Sequence, residues 1–232
     1  MCPFKPTPFL MLVALIAWAV IARGAENGQG VITGTVRLVG SGISPSQPAA
    51  SLLLGTNQAV RGVIIYLAGL AANDINHETN NAAILDQRNG EFVPRIQIAR
   101  SGAPLILRNS DSTLHVLRID SMSGTNGSKT LLQVATPYAG YEKKYQLAHF
   151  SEPTLLQVSS ANGQDGMAAY IAVMPHPWAV LTDEDGKFVL RNVPAGKHKI
   201  YAWHEVLGTL VHEVQVNGTR TGAVDFQFTT GH

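Results

Sequence analysis

The side chains best able to hold a metal or move a proton in this sequence are its histidines, and they are scattered. His115 opens an apolar run four residues after Asp111. Met167 precedes another apolar run much further along. An imidazole and a thioether are ligands that suit copper, Cu(I) in particular. His176 sits between two prolines in Pro175-His-Pro-Trp178, a setting that favours a shaped turn over a ligand. His204-Glu205 and His212-Glu213 fall on consecutive predicted strands, but their spacing is not that of zinc ligands. Asp183, Glu184 and Asp185 resemble acid–base residues until Gly186 is added; Asp-Gly makes them a hairpin turn. Asn126-Gly-Ser and Asn217-Gly-Thr match glycosylation acceptors, and Asn-Gly is equally good turn chemistry. No Ser/His/Asp set, carboxylate pair or phosphate-binding glycine loop stands out, so no enzyme is expected.

Thiol chemistry is excluded from nearly the whole chain. The only cysteine is Cys2, and it precedes an uncharged apolar run from Phe9 to Ala22. That run is shorter than the roughly 20 residues a membrane-spanning helix needs. It ends in small residues at Ala22, Gly24 and Ala25, as a signal-peptidase site requires. Residues 1–25 are therefore expected to be a cleaved signal peptide, and the mature protein to be periplasmic or secreted. Without Cys2 the mature chain forms neither a disulfide nor a thiolate–metal bond. Formal charge is +1, with 14% charged residues, so no nucleic-acid face is implied. No small-molecule substrate is indicated either.

The elements that must position these side chains read as strands. The 22 glycines and 12 prolines punctuate short β-branched runs, a pattern of sandwiches and barrels. A first group holds 31–39 and 61–67, separated by the Gly/Ser/Pro-rich loop 40–50, with an Asn-rich loop over 71–83. A second holds 93–99, 104–108, 114–119, 141–147, 154–158 and 168–173. Loops fall between them at 101–103, 109–111, 124–128 and 159–166. A third holds 179–182, 187–190, 197–205, 210–216 and 223–228. No long helix-period segment follows the signal.

Two family resemblances attach to these groups. Thr182-Asp-Glu-Asp-Gly-Lys-Phe188, Val193-Pro-Ala-Gly196 and Ala202-Trp-His-Glu205 resemble the carboxypeptidase regulatory-like (transthyretin-like) β-sandwich. Gly34-Thr-Val36 and Arg61 to Leu67 would supply its opening strands. Such modules are non-catalytic. The middle group, through Phe92-Val-Pro94, Ser101-Gly102, Leu107-Arg-Asn-Ser-Asp111 and His115, resembles a cupredoxin. The combined layout, with Asp86-Gln87 and His176-Pro-Trp178, is similar to bacterial methylamine-utilisation-like and plastocyanin-like exported proteins. The fold class implied is all-β. A cupredoxin-like Greek-key sandwich over 86–175 is expected to be inserted in, or joined to, a regulatory-like sandwich made of 26–85 plus 176–232. Insertion is favoured, because two strands alone bury no core.

The resemblance also implies what is missing. Cupredoxins bind copper through two imidazoles, a thiolate and an axial thioether, with Cys, the second His and Met on one loop. Counting back from Met167 puts Gln164 at the His position and Ala161 at the Cys position. The vestigial ligand positions are thus His115, Ala161, Gln164 and Met167. A weak remodelled metal site would use His115, Met167 and His176. No cofactor is expected, with copper as the alternative. The expected function is a non-catalytic exported binding or assembly module with a degenerate copper site, its partner an exported or membrane protein. The alternative is a periplasmic copper-binding or electron-transfer protein with a His/Met site.

Overall fold

The computed structural model describes residues 29–40, 56–70, 82–122, 128–161, 167–218 and 221–229. The expected signal peptide lies outside the described residues, as do 41–50, most of the Asn-rich loop, and Gln164. Among the described residues, no helix is long and apolar enough to cross a membrane. The described residues are all-β, with one 3-10 turn among them at Thr56–Gln58.

Four sheets pack as two sandwiches. In chain order the strands begin with β1 (Gln29–Val39), β2 (Ile64–Ala68), β3 (Ala83–Arg88), β4 (Glu91–Val93), β5 (Ile96–Arg100) and β6 (Pro104–Asn109). There follow β7 (His115–Ser121), β8 (Lys129–Thr136), β9 (Tyr141–Gln146), β10 (Thr154–Ser160) and β11 (Ala168–Met174). The last are β12 (Ala179–Leu181), β13 (Lys187–Pro194), β14 (Gly196–His204), β15 (Gly208–Val216), β16 (Thr221–Ala223) and β17 (Phe226–Thr229).

The central sandwich faces a five-stranded sheet, β5-β11-β10-β7-β8, with a four-stranded one, β4-β3-β6-β9. The chain crosses from one sheet to the other between β6 and β7, between β8 and β9, and between β9 and β10. That is the Greek-key, cupredoxin-like pattern. Between the sheets lie Leu85, Leu105, Leu107, Leu117, Leu156, Val158, Ile171 and their neighbours. The flanking sandwich faces β13-β1-β16, with β17 also on β1, against β12-β2-β14-β15. β1 pairs antiparallel with β13, and β2 with β12 and β14. The segment 83–174 thus lies, in sequence, between strands that share sheets and a core. That core holds Ile32, Val36, Ile65, Leu67, Phe188, Ile200 and Phe226. Truncating one of the fully buried ones, such as Ile32, to Ala would cost about 2–5 kcal/mol.

Alternation explains which face each strand buries. Along β10, Leu156 and Val158 point to the core while Leu155 and Gln157 sit half-buried on the other face. β11 reads as a continuous apolar run because both its faces are covered. Ala169, Ile171 and Val173 enter the central core, whereas Ala172 and Met174 join Ile64 and Trp203 in a junction cluster against the flanking sandwich. Tyr170 and Trp203 meet there with ring centroids 5.1 Å apart. Gly34 is fixed by close approach: a Cβ would stand 1.8 Å from the Val224 carbonyl oxygen and 2.6 Å from the Phe188 ring.

Three sequence expectations change. The run 93–99 is not one strand: Pro94, which has no N–H to give a ladder, divides it into β4 and β5. The halves join opposite sheets. β3 takes in Ala83, the last residue of the expected loop, and β8 occupies a stretch left unassigned. The run 223–228 is likewise two strands, β16 and β17, broken at Val224-Asp225, where Asp225 accepts hydrogen bonds from the Thr35 N–H and hydroxyl at 2.8 Å each.

Candidate functional site

The turn from β6 to β7 is built by its own side chains. Asn109 is fully buried and its Nδ2 donates to the carbonyls of Thr113 (2.9 Å) and Thr136 (2.8 Å), while its Oδ1 accepts from the Asp111 N–H (2.9 Å). The Ser110 hydroxyl donates to the Asp86 carboxylate, and the Ser110 N–H to the Gln87 carbonyl at 2.8 Å. The Thr136 hydroxyl donates to Gln87 Oε1. Asp86-Gln87 and Asn109-Ser-Asp111 therefore belong together physically: they clip β3 to the β6–β7 turn.

This clip aims Asp111 at His115. Asp111 accepts backbone N–H bonds from Asn89 (2.6 Å) and Gly90 (3.0 Å), and its Oδ2 lies 3.1 Å from His115 Nε2. Thr113 Oγ1 lies 3.2 Å from the same nitrogen. Burial works to raise the pKa of Asp111. The N–H donors of Gly90 and Asn89 and the His115 ring outweigh it, holding the carboxyl below its usual value. His115 itself is 2% exposed.

The remaining predicted positions divide. Ser160 stands opposite Leu117, and the Ala161 N–H donates to the Val116 carbonyl at 2.7 Å. Ala161 thus leaves β10 beside the strand start that carries His115, and it is exposed. Met167 is buried in the central core. Gln164 falls outside the described residues. His176 is not brought to this end. It follows the far end of β11, whose seven residues span roughly 20 Å at about 3.3 Å each.

The residues present do not fit a blue-copper centre. That centre needs a thiolate, and the expected cysteine position holds an alanine, with Cys2 the only cysteine in the chain. Among the described residues, no group of three or more His, Cys, Asp or Glu side chains could hold a metal ion. Two large apolar side chains stand exposed near His115 among the polar residues Ser112 and Thr113: Leu114 is 53% exposed, and Tyr138, in the β8–β9 connection, is 61% exposed. The Gly140 N–H ties that connection to the Asn109 carbonyl at 2.7 Å, so both side chains belong to the same end of the sandwich.

Arg95 and its contacts with His204-Glu205, a pair set aside as zinc ligands, escaped the sequence reading. Arg95, at the β4–β5 bend, forms a two-pronged ion pair with Glu205 beyond β14, at 2.7 and 2.6 Å. His204, 3% exposed, accepts the Val206 N–H on Nδ1 at 3.1 Å. Burial pushes its pKa down to about 4, with Glu205 raising and Arg95 lowering it in smaller measure. The Ala202-Trp-His-Glu205 motif contains His204 and Glu205, but nothing in the sequence marks Arg95 as their neighbour.

No family model matches the sequence, and no curated protein does. Solved structures do. A purple cupredoxin from Nitrosopumilus maritimus shares 13% identity over 39% of this chain and 98% of its own, with a TM-score of 0.31. A reduced amicyanin variant shares 16% over 45% of this chain and 90% of its own, also at 0.31. The Cu(I) form of another amicyanin variant, at pH 4, shares 10% over 47% and 97%, at 0.30.

Proposed function

We propose that this chain is an exported, non-catalytic binding or assembly module. Its cupredoxin-like segment, 86–175, sits as an insertion in a carboxypeptidase regulatory-like sandwich of 26–85 and 176–232, and presents the end around His115 to an exported or membrane protein. The observation that carries this reading is the exposure of two large apolar side chains, Leu114 and Tyr138, at the end of the sandwich that holds His115. On the cupredoxin resemblance Ala161 takes the thiolate position, and Leu114 and Tyr138 expose apolar area beside a His115 ring held by Asp111. An aromatic and an aliphatic anchor with a polar surround are what protein contacts use.

One observation favours a second reading, a remodelled copper site at His115 and Met167. A carboxylate on one ring nitrogen, as Asp111 is on His115 Nε2, also orients metal-bound histidines. Two measurements separate the readings. A photo-crosslinking residue in place of Tyr138, in exporting cells, is expected to give one discrete adduct that Leu114→Asp abolishes. Titration with Cu(I) and Cu(II) is expected to show no tight stoichiometric binding. Tight Cu(I) binding lost in His115→Ala, with no adduct, would establish the copper reading instead.

A further inference from the structure

The groove at the far end of β11 holds an arginine and a histidine that the proposed contact surface does not use. It measures about 330 Å³ and is lined by Ala82, Gln97, Arg100, His176 and Ala179 among others. Arg100 stands opposite Met174 in the parallel β5–β11 pairing, and the chain brings His176 to it two residues later. Arg100 is half-buried, and among the described residues its guanidinium has no carboxylate and no hydrogen-bond acceptor. His176 is 2% exposed, and neither ring nitrogen has a partner in good hydrogen-bond geometry; the Leu67 backbone and the Glu152 carboxylate lie near enough only to offset part of the pKa lowering that burial causes. Its ring packs at 5.4 Å from that of Trp178, which is itself fixed by donating Nε1–H to the Asn192 carbonyl at 3.0 Å. Prolines on both sides hold the imidazole in place.

Buried polar groups in native proteins are bonded, and an exception asks for an occupant. Here one such exception, the His176 ring, shares an opening with the half-buried Arg100 guanidinium. A guanidinium offers a planar fork of N–H donors that matches a carboxylate or phosphate, and a neutral imidazole offers one N–H more. The adjacent amide of Gln97 is already committed to the Ile84 carbonyl at 3.1 Å, which stiffens the wall. The volume lies at the small end of the range for small-molecule sites. We propose that this groove binds a small organic anion, whose carboxylate or phosphate pairs with Arg100 and accepts the His176 ring N–H.

The test is calorimetric titration of the purified protein at constant ionic strength, with succinate in one arm and inorganic phosphate in the other. Saturable one-site binding is expected in at least one arm, and the stronger arm identifies the anionic group. Arg100→Gln should weaken it about tenfold or more, the loss of a charge-assisted hydrogen bond. Arg100→Lys should retain more affinity for phosphate than for succinate, because lysine keeps the charge without the fork. His176→Gln should weaken binding in the same arm. If Arg100→Gln fails to fold, the lysine and His176 variants decide. Absence of saturation with both anions at about 20 mM, far above the millimolar range of weak specific sites, would overturn the proposal. So would equal affinity in wild type and the folded variants.

Discussion

Arg95 and Glu205 join the two sandwiches through a two-pronged ion pair, although they are 110 residues apart in sequence. Arg95 also donates to the Ala168 carbonyl at 3.1 Å, so it ties the β4–β5 bend, β11 and the end of β14 together. The Glu205 side chain is 6% exposed and that of Arg95 34%, so solvent screens only one partner appreciably. Arg95→Ala leaves a buried carboxylate without its cation and is expected to cost about 1–3 kcal/mol, less than the 3–5 kcal/mol of a wholly buried pair. The double change Arg95→Met with Glu205→Leu should recover much of that loss. Denaturant unfolding of wild type and the two variants checks it; a double variant no more stable than Arg95→Ala would show that the two side chains do not act as a pair.

The pairing of β1 with β13 and of β2 with β14 predicts the behaviour of a fragment. Residues 176–232 alone contain β13 without β1 and β14 without β2, which leaves ladder edges and an apolar face uncovered. That fragment should give a collapsed amide spectrum or aggregate. Adding back a peptide of 26–70 should sharpen it. A well-dispersed spectrum from 176–232 by itself would instead mean a self-sufficient domain joined in tandem.

How far the fold could be read in advance depended on local pattern. β7, β10 and β11 stand out by their alternation or apolar continuity, and Asp185-Gly186 marks the turn before β13. β8 does not stand out, because most of its residues face solvent at a sheet edge. β3 was obscured by buried Asp86 and Gln87, polar residues that a single strand cannot explain until Ser110 and Thr136 are placed against them. For the candidate site, His115 was legible from the turn before it and its carboxylate partner is local. Arg100 carries no motif, His176 stood out only within His176-Pro-Trp178, and only the β5–β11 pairing brings the two to one groove.

His204 predicts how stability depends on pH. Its Nδ1 is committed as an acceptor to the Val206 N–H, so protonation there would break a bond as well as bury a charge. The folded ring titrates near 4, below the ordinary value of 6.5. Between those values the unfolded chain takes up a proton and the folded one does not. Stability therefore falls as pH drops from about 6.5 toward 4, by roughly 1–3 kcal/mol in all. His176, also lowered by burial, adds in the same direction. His204→Asn keeps an acceptor for Val206 without a titrating group. Its stability should be lower at neutral pH but change less across that window, as measured by urea unfolding at a series of pH values. An unchanged slope would assign the pH dependence elsewhere.

The last prediction concerns colour. Cu(II) added to the wild-type protein should give at most a pale solution, since the intense blue of cupredoxins is sulfur-to-copper charge transfer and the chain beyond Cys2 has no thiol. The hydrogen bond from Ala161 N–H to the Val116 carbonyl places this residue one register step from His115 across β7 and β10. Ala161→Cys with Gln164→His should therefore supply a thiolate and a second imidazole at the His115 end, with Met167 near by in sequence. At least partial colour is expected, tempered by the surrounding groups, since Asp111 and Thr113 already hold the His115 ring in one orientation. A cysteine at position 160 is the competing register, because Ser160 stands opposite Leu117 and so shares a sheet face with His115, whereas Ala161 lies just past the end of β10. Visible absorption and electron paramagnetic resonance of the copper-loaded variants read the result. An intense blue band in wild type would refute the loss of the site. Colour from the 160 variant but not from the 161 variant would put the ligand register one residue earlier on β10.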